Sequence, residues 1–152
     1  MNMMGKLAQQ KGDLAGAEKY FRAAAQIYRS KLGDNYKVAV AISNLGGVYL
    51  QRKDYPRAEQ FFREAMQNFA AVLPADNINI GIVKIKLGRA LLGEHRYREA
   101  EEQSAPGFEI LIKQTSPTTN FVRGARRDLF AIYTALGQPE KAQAYQSAVA
   151  AD

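Results

Sequence analysis

The stretch Lys53–Ala65, KDYPRAEQFFREA, decides the fold. Ala58 and Ala65 stand seven apart with Phe62 between them, in a segment otherwise built of large and charged residues. Seven residues make about two helical turns, so the three share one face. Alanine cannot fill a wide core. Placed there, it lets another backbone come close, and the partner is found elsewhere in the chain.

Self-similarity supplies that partner. GDLAGAEKYFRAA starts at Gly12, HRYREAEEQSAPG at His95 and a weaker copy, GQPEKAQAYQSAV, at Gly137. The anchor alanines Ala17, Ala58, Ala100 and Ala142 are separated by 41, 42 and 42 residues. Twelve residues before them lie Gly5, Gly46, Gly88 and Phe130, preceded by Met4, Leu45, Leu87 and Leu129. Three residues after that column come Ala8, Tyr49, Leu91 and Tyr133. Each repeat therefore reads as two helices. The first carries a large apolar residue, a small one, then an aromatic or aliphatic one. The second carries the alanines, and its start is marked by Asp54 and Pro56, or by Pro139. Glycine and alanine are expected to meet where the two helices cross.

Three positions depart from the pattern. Lys53 stands where the turn favours glycine, and Phe130 replaces the small residue, so the second turn and fourth repeat are expected to be irregular. Pro106, followed by Gly107, falls inside a second helix, where a missing N–H should bend or break it.

These columns resemble the tetratricopeptide repeat, with Leu-Gly, then Tyr, then Ala, Phe and Ala at matching offsets. The period of 41–42 residues exceeds the usual value of about 34. The longer second helices, ending in LGDNYKVA or LPADNINIG, are similar to the kinesin-light-chain variety, as are SNLG and LGDNYK. At the C-terminal end, APGFEILIKQTSP and ARRDLFAIYTALGQPEKAQAY look like repeats attached to bacterial serine/threonine protein kinases, which implies a sensor or docking segment of a larger signalling protein. The expected architecture is all-α, a right-handed superhelical solenoid of about four helix-turn-helix units, approximately 1–34, 35–76, 77–117 and 118–152. It is expected to be a fragment of a longer protein.

Composition bounds the chemistry. At 152 residues, 47% apolar and 24% charged, the chain suits one soluble repeat array. With no cysteine and the single histidine His95, thiolate chemistry is excluded and a histidine metal cluster is disfavoured. No segment reads as a membrane span or signal peptide, and a cytoplasmic location is expected. No metal and no cofactor are expected. RRDL at Arg126–Leu129 lacks the asparagine of a kinase catalytic loop, having Tyr133 there, and no phosphate-binding loop accompanies it. Glu99, Glu101 and Glu102 read as a solvated charge run. The chain is not expected to be an enzyme.

With the packing columns fixed, the first helices should line a concave groove. Its residues are Lys6, Gln9 and Gln10; then Val40, Ser43, Asn44, Gly47 and Gln51; then Ile82, Lys86, Arg89 and Gly93; then Arg127, Asp128 and Ala131. The candidate binding residues are Lys6, Ser43, Asn44, Lys86, Arg89 and Arg127. Asn44 matches the groove asparagine of the kinesin-light-chain pattern, and the resemblance implies that its amide holds a bound peptide's backbone. Only this repeat keeps it, the others having Met3, Lys86 and Asp128. The cations, and a net charge of +6, favour an acidic peptide or a C-terminal carboxylate. Two alternatives remain. Met1, Met3 and Met4 offer a homo-oligomer interface through the terminal helix, and a basic superhelix can track nucleic acid.

Overall fold

The structure, a computed structural model, describes residues 1–33, 35–114 and 119–150, with the side chains of 32 and 147–150 excluded. The expected boundaries at 34/35 and 117/118 touch residues outside that set. Among the described residues every regular element is helical. They are α1 (Asn2–Gln10), α2 (Leu14–Ile27) with a π-helical turn (Tyr28–Leu32), α3 (Asn35–Gln51), α4 (Tyr55–Ala70), α5 (Ile78–Gly93), α6 (Tyr97–Gln114), α7 (Asn120–Ala135) and α8 (Pro139–Ala150). The chain divides into two compact units, Met1–Ala75 and Asp76–Asp152. Within the first, α1 pairs with α2 and α3 with α4, and α2 packs on α3. Within the second, α5 pairs with α6 and α7 with α8, and α6 packs on α7.

One turn recurs four times. Gly12, Lys53, His95 and Gly137 all take positive φ, at 81°, 59°, 62° and 67°. The N–H one residue further on returns to the carbonyl of Ala8, Tyr49, Leu91 or Tyr133, at 2.9, 2.9, 3.0 and 2.9 Å. The left-handed residue itself donates to Gln9, Leu50, Leu92 or Thr134. This paired closure caps the carbonyls at the end of the first helix of each hairpin. The second turn is therefore regular, contrary to the sequence expectation, and the fourth hairpin's turn closes in the same way. Lys53 and His95 are held in a conformation that suits glycine, because the two hydrogen bonds and the flanking packed helices fix it. Asp13 and Asp54 then cap the next helices, accepting from Gly16 N–H (2.8 Å) and Arg57 N–H (3.3 Å).

The helix crossings correct a detail. A Cβ on Gly5 would lie 2.5 Å from Phe21 Cε1, and one on Gly46 2.5 Å from Phe62 Cε1. The glycine thus receives the aromatic ring four residues beyond the anchor alanine, rather than the alanine itself. Both rings are fully buried. In the third hairpin Ser104 occupies the ring's position, and Gly88 sits against Ser104 and the Ala100 carbonyl. In the fourth, Phe130 takes the glycine's place and Gln146 the ring's, so bulk moves to the other helix.

Pro106 does not break its helix: α6 runs continuously from Tyr97 to Gln114. Ser104, Gly107, Phe108 and Leu111 are buried around it. Gly107 lies close enough to Gly81 that a Cβ would fall 3.0 Å from the Gly81 carbonyl. Packing on both sides of the proline outweighs the hydrogen bond it cannot make.

Candidate functional site

In the first unit the expected groove residues of α1 and α3 form a row of amides. Asn44, Gly47 and Gln51 recur at three- and four-residue spacing and share a face of α3. Gly47 leaves room for Gln9, whose Nε2 would stand 3.6 Å from a Cβ there. Gln9 Nε2 donates to Gln51 Oε1 at 2.9 Å, tying α1 to α3. Asn44 Nδ2 is enclosed and has no hydrogen-bond partner. Such a donor is costly until something accepts from it. Lys6 is exposed, whereas Ser43 is buried and lies beneath this face rather than on it.

In the second unit two of the candidate cations, Arg89 and Arg127, act on one carboxylate. Arg89 Nε donates to Asp128 Oδ2 at 2.9 Å, joining α5 to α7. The Asp128 side chain is only 12% exposed, and burial pushes its carboxyl up to about 6 although Arg89 and Arg127 pull the other way. Gly124, one turn before Asp128, permits this approach, since a Cβ there would sit 2.7 Å from an Arg89 nitrogen. Arg127 is exposed, and Lys86 lies one turn before Arg89 on α5. Arg126 stacks over the Phe108 ring at 5.3 Å, a structural use.

Sequence reasoning missed two features of the first unit. Glu18 is held by Tyr49 Oη–H (2.6 Å), Arg52 (2.6 Å) and Arg22 (2.9 Å). The Tyr49 hydrogen bond, with those of Arg52 and Arg22, outweighs burial and keeps its carboxyl down at about 2. The i,i+4 spacing of Glu18 and Arg22 signalled a pair, but not the tyrosine arriving from α3. The second is a cleft of about 490 Å³ between α2 and α4, floored by Ile42 and Leu45 of α3.

Among the described residues no group of three or more histidine or acidic side chains could hold a metal ion, and no helix is long and apolar enough to cross a membrane.

Hairpins of this geometry, closed by the same turn at a period of 41–42 residues, define an all-α helical-repeat protein. The family model described as tetratricopeptide repeat matches residues 1–71 and 37–113, and the chain belongs to that family. The solved structure of BtubC (BKLC) from P. vanneervenii is similar, with a TM-score of 0.84 and 21% identity over 99% of this chain and 62% of that one. The nearly identical TPR-like repeats of a kinesin-light-chain-type protein from Podosopora anserina give a TM-score of 0.81 at 18% identity, over 99% of this chain and 72% of that one. A single-substitution variant of those repeats gives 0.82. No curated protein sequence matches the chain. This chain spans less than two thirds of the length of BtubC. The all-α superhelical repeat class and the kinesin-light-chain likeness expected from the sequence both hold. The stretch that resembles kinase-attached repeats lies mostly beyond the residues that the family model matches. Tetratricopeptide repeats are in general protein-interaction modules.

Proposed function

We propose that the chain is a non-catalytic module that binds acidic segments of a partner protein, the first unit through the face carrying Asn44 and the second unit, by itself, through the face carrying Arg89. The unpartnered amide donor of Asn44, set in a row with Gln9 and Gln51, carries this reading. Amides donate and accept, so such a row pairs with an extended backbone whatever its side chains. In the second unit Arg89 pairs with Asp128, with Lys86 one turn before it on α5 and Arg127 next to Asp128 on α7. Guanidinium groups suit carboxylates on the ligand, and the half-exposed Arg89 can turn from Asp128 to a ligand acid. The test is fluorescence-anisotropy titration of a labelled glutamate-rich peptide. Reversing Arg89 and Arg127 to glutamate is expected to weaken binding at least about tenfold at moderate salt. Unchanged affinity contradicts the reading, and competition by duplex DNA but not by unlabelled peptide replaces it with nucleic-acid binding.

Self-association is supported by one observation, the exposure of Met1 and, on α1, of Met3, Met4 and Leu7, with Met3 at 83%. Sedimentation velocity across concentration separates the two readings. A concentration-dependent dimer abolished by Met3→Lys favours the second, and a constant monomer removes it.

A further inference from the structure

We propose that copies of this chain join head to tail, the exposed stripe of α1 in one copy seating between α7 and α8 of the next. The proposal rests on the self-association reading above, not on the acidic-segment reading, and names the surface that receives α1. Two junctions inside the chain supply the geometry, because units of a repeat array meet their neighbours through equivalent faces. Where α2 packs on α3, Leu45 and Val48 of α3 share one core with Ala17 and Phe21 of α2, at 2% and 0% exposure. Where α6 packs on α7, the equivalent residues are Leu129 and Ile132, 84 positions further on, and both are fully buried. Met4 and Leu7 of α1 stand 41 residues before Leu45 and Val48 and carry the same stripe. They are 51% and 47% exposed, and among the described residues no helix lies on them as α2 lies on α3.

The receiving surface is the converse of that stripe. Among the described residues no helix lies on α8 as α3 lies on α2. A groove of about 420 Å³ is open there, lined by Phe130 and Thr134 of α7 and by Pro139, Ala142 and Gln146 of α8. Pro139, Ala142 and Gln146 stand 125 residues after Leu14, Ala17 and Phe21. Those three residues of α2 are the ones that receive Leu45 and Val48 in the first unit. The groove at α7 and α8 is therefore the position that α3 fills beside α2, and α1 carries the side chains that fill it. Methionine adapts to an irregular seat, and the Phe130 ring offers its sulfur a favourable neighbour. A filling stripe matched to the groove it fills selects a heterologous contact over a two-fold pairing of α1 with α1. Each joined pair keeps one free stripe and one free groove, so further copies can add.

The test is sedimentation velocity of the intact chain between about 10 μM and about 1 mM, with one variant for each half of the contact. The sedimentation coefficient of the wild type should rise with concentration. Leu7→Lys spoils the stripe and Gln146→Lys the groove, and each should weaken association at least about tenfold. An equimolar mixture of the two variants retains one intact stripe and one intact groove. It should form a dimer that grows no further. Both positions are exposed, and circular dichroism checks that the variants fold. Met4→Lys and Thr134→Lys, also at exposed positions, form a second pair for the same cycle. A wild type that stays monomeric overturns this proposal and the self-association reading together, leaving the acidic-segment reading intact. Undiminished association of Gln146→Lys and Thr134→Lys would place α1 against α1, overturning the head-to-tail contact while leaving self-association standing. A mixture that stays monomeric while the wild type associates would overturn it as well.

Discussion

Arg89 and Asp128 join α5 to α7 through a 2.9 Å hydrogen-bonded ion pair, yet burial leaves the aspartate carboxyl titrating at about 6. Desolvation of the carboxylate outweighs the guanidinium beside it. A raised carboxyl pKa means that the folded state holds the proton better than the unfolded one. Its stabilising contribution is complete below the unfolded value of about 4 and is lost as pH rises through about 6. The carboxyl ¹³C resonance of Asp128 should therefore titrate with a midpoint near 6. Thermal unfolding of Asp128→Asn should gain on the wild type as pH rises from about 4 to about 7. A midpoint near the ordinary aspartate value contradicts this.

Glu18 moves in the opposite direction. Its carboxyl, held at about 2, contributes stability above the unfolded value of about 4.5 that disappears as pH falls through about 2. Tyr49→Phe removes one of its two 2.6 Å hydrogen bonds and should raise the Glu18 midpoint while leaving the hairpin folded. An unchanged midpoint would show that Arg22 and Arg52 suffice.

Lys53 and His95 occupy a turn conformation that glycine adopts in the first and fourth hairpins. Lys53→Gly and His95→Gly should each stabilise the chain by about 1 kcal/mol, since the strain relieved exceeds the entropy glycine adds to the unfolded state. Chemical denaturation measures this, and destabilisation by either change would place a side-chain contact above the backbone strain.

Gly46 and Phe62 are coupled by contact. Gly46→Ala should cost about 2 kcal/mol, because a Cβ would meet the Phe62 ring at 2.5 Å. In a Phe62→Leu background the same change should cost less than about 1 kcal/mol, and additive costs in the double-mutant cycle would deny the contact.

Ser104 fills the ring's place in the third hairpin, fully buried and with its hydroxyl unpartnered. Ser104→Ala should be neutral or stabilising by about 1 kcal/mol in thermal unfolding. A loss of that size would reveal a hydrogen bond to the α6 backbone.

The hairpins were legible in the sequence because close helix crossings demand small side chains at fixed intervals. Gly5 and Gly46 mark the crossings, and Ala17 and Ala58 recur one period apart. The identity of the group filling each crossing was not legible, since Phe21 and Phe62 read equally well as core aromatics. Turn regularity at Lys53 was hidden because residue type signals backbone strain only when glycine is present. Pro106 misled for a related reason: its local cost was visible and the packing that overrides it was not. The partly neutralised state of Arg89 depended on Gly124 and Asp128 of a different helix, 35 and 39 residues on. The α2–α4 cleft depends on a π-helical turn that leaves no compositional trace.

Side-chain NMR tests most directly whether the Arg89 face of the second unit holds an acidic segment. With a glutamate-rich peptide added to the intact chain, the Nε protons of Arg89 and Arg127 should shift together and saturate at one concentration. Saturable peptide binding that leaves both resonances unmoved would contradict it.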